Sequence, residues 1–193
     1  MKYILTGLHA SGKLEAADFL SSRGVRIAKF FTNLEHVEYN APLYETLSTD
    51  EMNRIFENCA YVYFSDADRN MCNNYETLST SEFDSSDVIV LSPNQLNCMP
   101  MKALPDRVCF VWMDCTQSER LSRHRSEKRQ YSFTDREELE RMDLGDYVSK
   151  IYSLPNSTSI YFSNEDPQRV AAIVDVMVKY PGAAETIIEN FKE

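Results

Sequence analysis

Tyr3-Ile4-Leu5-Thr6-Gly7-Leu8-His9-Ala10-Ser11-Gly12-Lys13-Leu14 is the stretch that decides how this chain folds. An apolar run reaches a glycine, four residues intervene, and Gly12-Lys13 opens a segment with helical spacing. This is the G-x-x-x-x-G-K pattern of a phosphate-binding loop between a strand and a helix. Successive backbone N–H groups in such a loop form a concave anion site, reinforced by the positive end of the helix that follows. The glycines let the backbone approach a phosphate and the lysine reaches the outer phosphates. One position departs from the pattern. A Ser or Thr that would ligate magnesium is expected after the lysine, and Leu14 stands there.

Working outward, Leu14, Ala17, Phe19 and Leu20 can line one face of a helix over 13–22, ending before Gly24. Apolar, β-branched runs then alternate with helical patterns, the signature of an α/β sheet. Strands are expected at 2–6, 26–31, 87–92, 108–113 and 159–162. Helices are expected at 116–128, 134–150, 166–179 and 182–191. The run Asp87-Val88-Ile89-Val90-Leu91-Ser92 is nearly continuous in apolar character, as in a strand covered on both faces.

Between the second and third strands, residues 33–84 are too many for a plain crossover. They contain a near-repeat, Tyr44-Glu45-Thr46-Leu47-Ser48-Thr49-Asp50-Glu51 and Tyr75-Glu76-Thr77-Leu78-Ser79-Thr80-Ser81-Glu82. Each copy ends in a Ser-x-x-Glu capping box that can start a helix. Two copies are too few for a solenoid. Tyr44 and Tyr75 each precede such a helix start, where hydroxyls and amides can meet an anion.

The chain has 193 residues and a net charge of −10, against broad attraction to nucleic acid or anionic membrane. Yet half of its arginines fall between Arg120 and Arg141. Glu119, Glu127, Glu137, Glu138 and Glu140 are spaced to partner them on a solvated helix face. The preference for arginine over lysine also suits clamping phosphate. The five cysteines have no C-x-x-C spacing and read as reduced thiols. No apolar stretch is long enough for a bilayer and the first residues lack a signal-peptide pattern, so a cytoplasmic protein is expected.

Two further positions carry possible metal chemistry. Asp114 ends the apolar run Val108 to Met113, like an aspartate that holds magnesium through water; capping the next helix, with Thr116, is the other reading. Ser92 ends the third strand, where α/β sheets bind ligands, and is a weaker candidate for water-mediated metal contact.

In element order, residues 2–165 resemble the guanylate-kinase-like branch of P-loop nucleoside monophosphate kinases. Gly7 to Lys13 looks like that family's phosphate loop. Phe31-Thr32-Asn33 falls where the family has a Thr-Thr-Arg-type stretch on the monophosphate, with Asn33 in place of the arginine. Tyr44 stands near its Asp-Tyr-aromatic segment. Asn73-Asn74-Tyr75-Glu76-Thr77 is similar to its Asn-Tyr-Tyr-Gly-Thr segment, whose second tyrosine contacts the acceptor phosphate. Arg120-Leu121-Ser122-Arg123-His124-Arg125 resembles the arginine-rich start of its lid, with Arg136 or Arg141 matching an arginine beyond it.

The resemblance implies one P-loop kinase domain, with a five-stranded parallel sheet flanked by helices. The core would be 1–32, 85–124 and 137–193, the monophosphate-binding insertion 33–84 and the lid 125–136. It implies ATP and Mg2+ as cofactors, and phosphorylation of a nucleoside 5′-monophosphate. Gly7, His9, Ala10, Ser11, Gly12, Lys13 and Leu14 would hold the ATP phosphates. Lys13, Arg123, Arg125 and Arg136 would neutralise the transferred group. Thr32, Asn33, Tyr44, Tyr75 and Arg141 would hold the acceptor. The altered acceptor positions fit a deoxy or modified pyrimidine monophosphate. Two other readings are a catalytically weak nucleotide- or partner-binding module and a P-loop kinase acting on a modified base in DNA. The expected partners are ATP and a monophosphate, without membrane or nucleic acid, in a monomer or homodimer.

Overall fold

The computed structural model describes residues 1–33, 43–56, 59–64, 75–99, 104, 107–126, 132–142 and 144–191. Its main sheet is all-parallel, in the order β6 (Val88–Val90), β1 (Lys2–Thr6), β7 (Val108–Asp114), β8 (Ser157–Ser163). The central strand β1 pairs along its whole length with β7, from Lys2 opposite Val108 to Thr6 opposite Trp112. Their near-continuous apolar runs are explained by cover on both faces. On one face Tyr3, Leu5, Val111 and Phe162 pack with α1 (Lys13–Ser22), α8 (Pro167–Lys179) and α9 (Pro181–Phe191). On the other, Ile4, Ile89 and Phe110 pack with Leu96 of α4 (Pro93–Cys98) and Ile151 of α7 (Leu144–Ser153).

The sheet has four strands among the described residues, not the expected five. The segment at 26–31 is divided between two jobs. Ile27 makes an isolated parallel bridge to Val88 at the sheet edge, and Phe30–Thr32 then enters a different sheet as β2. That second sheet runs β3 (Tyr44–Thr46), β2, β5 (Tyr75–Ser79), β4 (Cys59–Phe64). Here the near-repeat finds its meaning. Its two Tyr-Glu-Thr copies are the strands on either side of β2: Tyr44 opposes Phe30 in parallel, and Thr77 opposes Phe31 antiparallel.

Each copy then caps a helix as its sequence predicts. The Ser48 amide donates to Glu51 Oε2 at 2.9 Å and the Glu51 amide to Ser48 Oγ at 3.3 Å, starting α2 (Thr49–Phe56). In the second copy the Glu82 amide donates to Ser79 Oγ at 3.1 Å, starting α3 (Thr80–Ser85). The Glu82 carboxylate is diverted: it accepts from the Lys29 amide at 3.1 Å, between the two sheets. The sheets share one apolar cluster through Phe30, Leu78 and Phe83 against Ile4 and Ile89.

The expected helix at 134–150 corresponds to α6 (Phe133–Met142) and α7, on either side of position 143, and the one at 116–128 to α5 (Gln117–Ser126), with 127–128 outside the described residues. No described helix is long and apolar enough to cross a membrane.

Candidate phosphate-binding site

Gly7 leaves β1 with φ +143°, Ala10 turns with φ +58°, and Gly12 enters α1 with φ +97°. The glycines are required by space as well as by φ. A Cβ on Gly7 would lie 2.0 Å from the Met113 carbonyl oxygen, and one on Gly12 would lie 2.4 Å from Pro167 Cγ. The loop is thus pressed between β7 and the start of α8. Gly12 caps α1 without a side-chain hydrogen bond, and Ala16 makes the first helical bond to the Gly12 carbonyl at 3.0 Å. Such a helix start suits an outside anion at its first-turn amides.

The Lys13 ammonium folds over the loop and donates to the Gly7 and Leu8 carbonyls at 2.7 and 2.8 Å. Leu14 is partly buried and packs against the apolar cluster that includes Ala16, Ala17 and Leu20 of α1. Its position supplies packing where a hydroxyl was expected.

Two helices close the other flank of the loop. Arg123 of α5 donates to the Ala10 carbonyl at 3.4 Å and lies 3.3 Å from Cys115 Sγ. Burial pushes the Cys115 thiol pKa up, although Arg123 pulls against it. The His9 ring meets His124 with Nε2 and Nδ1 2.9 Å apart, and Phe133 of α6 packs against both rings with centroids 6.0 and 5.5 Å away. The His9 amide donates to the Glu140 carboxylate, also from α6. Behind them Arg120, only 2 % exposed, donates to Glu137 Oε1 at 2.6 Å. Burial raises the Glu137 pKa, but hydrogen bonds from Arg120, Gln117 and Arg141 outweigh it and hold the carboxyl below its ordinary value.

Glu137 and Glu140 therefore correct the reading of a wholly solvated charged face: both are buried. Phe133, Glu137 and Glu140 share one stripe of α6 by their spacing, and Arg120 and His124 share one stripe of α5. An aromatic at the head of that acidic stripe was the signal in the sequence that it faces inward.

The remaining candidates divide. Arg125 is exposed on α5, and Arg141 is exposed and pairs with Glu137 at 3.0 Å. Arg136 lies in α6 and Tyr75 begins β5, with their side chains outside the described part. Segment 127–131 of the expected lid and Asn73-Asn74 are outside it altogether. Tyr44 does not stand free before a helix: its ring packs on Phe30 with centroids 5.6 Å apart, and its hydroxyl accepts from Gln95 Nε2 at 3.4 Å. Thr32 is buried beside it in β2, followed by the half-buried Asn33.

Ser92 is a helix cap. Its Oγ accepts from the Gln95 amide at 3.3 Å and its own amide donates to Gln95 Oε1 at 2.8 Å, which accounts for the serine without a metal. Asp114 follows Met113, whose carbonyl touches Gly7. Its Oδ1 accepts from the Cys115 amide and its Oδ2 from the Tyr161 hydroxyl, each at 2.9 Å. Thr116, not Asp114, caps α5, exchanging bonds with Glu119. The described residues contain no cluster of three or more His, Cys, Asp or Glu that could hold a metal ion.

No protein-family model and no curated protein sequence matches this chain. Among solved structures it is similar to an unliganded sugar kinase from Janibacter sp. HTCC2649, at 14 % identity and a TM-score of 0.43 over 94 % of this chain and 96 % of that one. A likeness at that score does not establish a shared fold.

What the arrangement can do follows from its own parts. A glycine-framed turn leads into a helix N-terminus, a lysine ammonium lies across the turn, and Arg123 reaches it from α5. These groups suit the phosphates of a nucleotide.

Proposed function

We propose that this protein is a phosphotransferase that moves the γ-phosphoryl group of ATP to a nucleoside 5′-monophosphate. The observation that carries the reading is the strand–loop–helix unit itself, with Gly7 and Gly12 at positive φ and Lys13 folded over the loop between them. The reaction needs no general base, because the acceptor phosphate is already anionic at neutral pH, so catalysis is positioning and charge neutralisation. Loop amides and Lys13 hold the donor phosphates. Arg123 neutralises charge on the transferred group from the α5 side, with Arg125 and Arg136 as further lid cations. The second sheet, with Thr32, Asn33, Tyr44 and Tyr75, is the acceptor-binding insertion, and residues 125–136 are the lid. Asn33 in place of an arginine favours an altered acceptor, of the deoxy or modified pyrimidine class.

Magnesium would screen the phosphate charges. The residues fit it only loosely: Leu14 offers no oxygen, Ser92 is committed to its cap, and Asp114 remains as a carboxylate beside the loop. Metal would thus arrive on the nucleotide, held by phosphate oxygens and water.

The test is incubation with ATP, magnesium and a panel of ribo- and deoxymonophosphates, resolving diphosphate products. Turnover of a monophosphate that vanishes in Lys13→Ala supports the kinase. Turnover of GMP and dGMP alone, with pyrimidine monophosphates inert, removes the altered-acceptor part. The inward packing of Leu14 favours a second reading, a nucleotide-binding module of weak activity, and ATP binding without turnover of any acceptor is its outcome.

A further inference from the structure

An anion already sits on the phosphate loop, and it belongs to the protein. The Glu140 carboxylate accepts the His9 backbone N–H, one of the loop amides between Gly7 and Gly12. Glu140 is 1 % exposed, so its charge has been taken out of water at this place. Burying a carboxylate is costly unless donors receive it, and a loop of this type is a donor site for oxyanions. Lys13, in the same state, is turned onto the loop carbonyls Gly7 and Leu8.

We propose that Glu140 is an internal plug, a tethered anion that competes with nucleotide phosphate for the loop, so that phosphate binding expels it and loosens α6. The proposal rests on the phosphate-loop reading and adds to it a built-in competitor. A tethered ligand acts at high effective concentration, which makes one carboxylate a meaningful rival to a free anion. Expulsion cannot be a private side-chain movement. Glu140 lies on the stripe of α6 that carries Phe133, packed on the His9 and His124 rings, and Glu137, bound to Arg120 at 2.6 Å. For Glu140 to leave the loop, that stripe must separate from α5. Occupancy of the loop and docking of α6 are therefore alternatives, each biased by what binds the other.

Glu140→Gln tests the plug, since it keeps shape and an acceptor oxygen while removing the charge. Calorimetric titration would compare wild type and variant with pyrophosphate, ATP and adenosine. The expected result is pyrophosphate and ATP binding about fivefold to a hundredfold tighter in Glu140→Gln, the range of ordinary coupling, with adenosine unchanged. Hydrogen exchange of α6 should speed up on ATP binding to wild type, and already be fast in the variant without nucleotide. Affinities equal to or below wild type overturn the plug. Loss of ATP binding in Lys13→Ala upholds the loop reading independently of that result. If neither wild type nor Glu140→Gln binds pyrophosphate or ATP, both ideas fall. Should Glu140→Gln not fold, Glu140→Asp, which keeps the charge but draws it back by one methylene, carries the same comparison, with a smaller tightening expected.

Discussion

The two flanks of the Gly7–Lys13 loop are built from different materials. On one flank the loop is held by shape: Gly7 lies against the Met113 backbone and Gly12 against Pro167, with no room for a methyl group at either. On the other it is held by polarity: Glu140, His124 and Arg123 meet it through hydrogen bonds. Steric contact has no substitute partner, whereas a hydrogen bond can be handed to water or to a ligand. The shaped flank therefore fixes what the loop is, and the polar flank governs what occupies it.

The shaped flank should break hardest. Gly7→Ala places a Cβ on a backbone carbonyl that cannot rotate away, and we expect a loss on the order of 4 kcal/mol or more, measurable by urea unfolding. A variant that unfolds like wild type would show that β7 yields, and the distinction between flanks would weaken. On the polar flank, Arg120→Met leaves the buried Glu137 carboxylate with fewer partners and should cost about 3 kcal/mol, toward the lower end for a broken buried pair because Gln117 and Arg141 still reach it. The double change Arg120→Met with Glu137→Leu should recover most of that loss, since removing both charges leaves none stranded. No recovery would mean the pair acts through more than its charges.

The polar flank should also answer to pH. The Glu137 carboxyl is held below its ordinary value when folded, despite burial. Its contribution to stability is present above the ordinary carboxylate pKa and is lost as pH falls through the lowered one. Acid unfolding followed by circular dichroism should accordingly be flatter in Glu137→Gln than in wild type. A smaller effect belongs to Thr116→Ala, which removes the cap of α5 and should cost about 1 kcal/mol without altering the shaped flank. The mildest probe is chemical. Burial pushes the Cys109 thiol up to about 12. Residue-resolved alkylation of the native protein should spare Cys109 and buried Cys115 while modifying exposed Cys98.

The same contrast explains what could be read from the sequence. The shaped flank was legible because it rests on local rules: an apolar strand, glycines where φ is positive, and a helix after Lys13. The parallel strands were legible for a similar reason, since cover on both faces leaves an apolar run. The segment at 26–31 was not, because its apolar run serves two sheets and nothing local marks where it passes between them. The Tyr-Glu-Thr repeat displayed two helix starts but hid two strands, since pairing with β2 depends on residues far away in sequence. On the polar flank, Glu137 and Glu140 have the composition of a solvated face. Apart from Phe133 at the head of the stripe, nothing local marks their burial, which follows from the packing of α6 on α5 and the loop.

The division of residues 26–31 also has a mechanical consequence. Ile27 bridges to Val88, the Ala28 amide donates to the Val88 carbonyl at 2.9 Å, and Phe30 begins the second sheet, so Lys29 alone lies between them. Glu82 grips the Lys29 amide from the start of α3, near the returning chain. A join of one residue reaches only about 3.5 Å at full stretch and holds no slack to release. The second sheet is thus tied to the edge of the main sheet at this point, besides the apolar cluster that the two share. Any movement of the second sheet toward the Gly7–Lys13 loop would therefore have to turn about this join and repack the shared cluster, since there is no linker to lengthen.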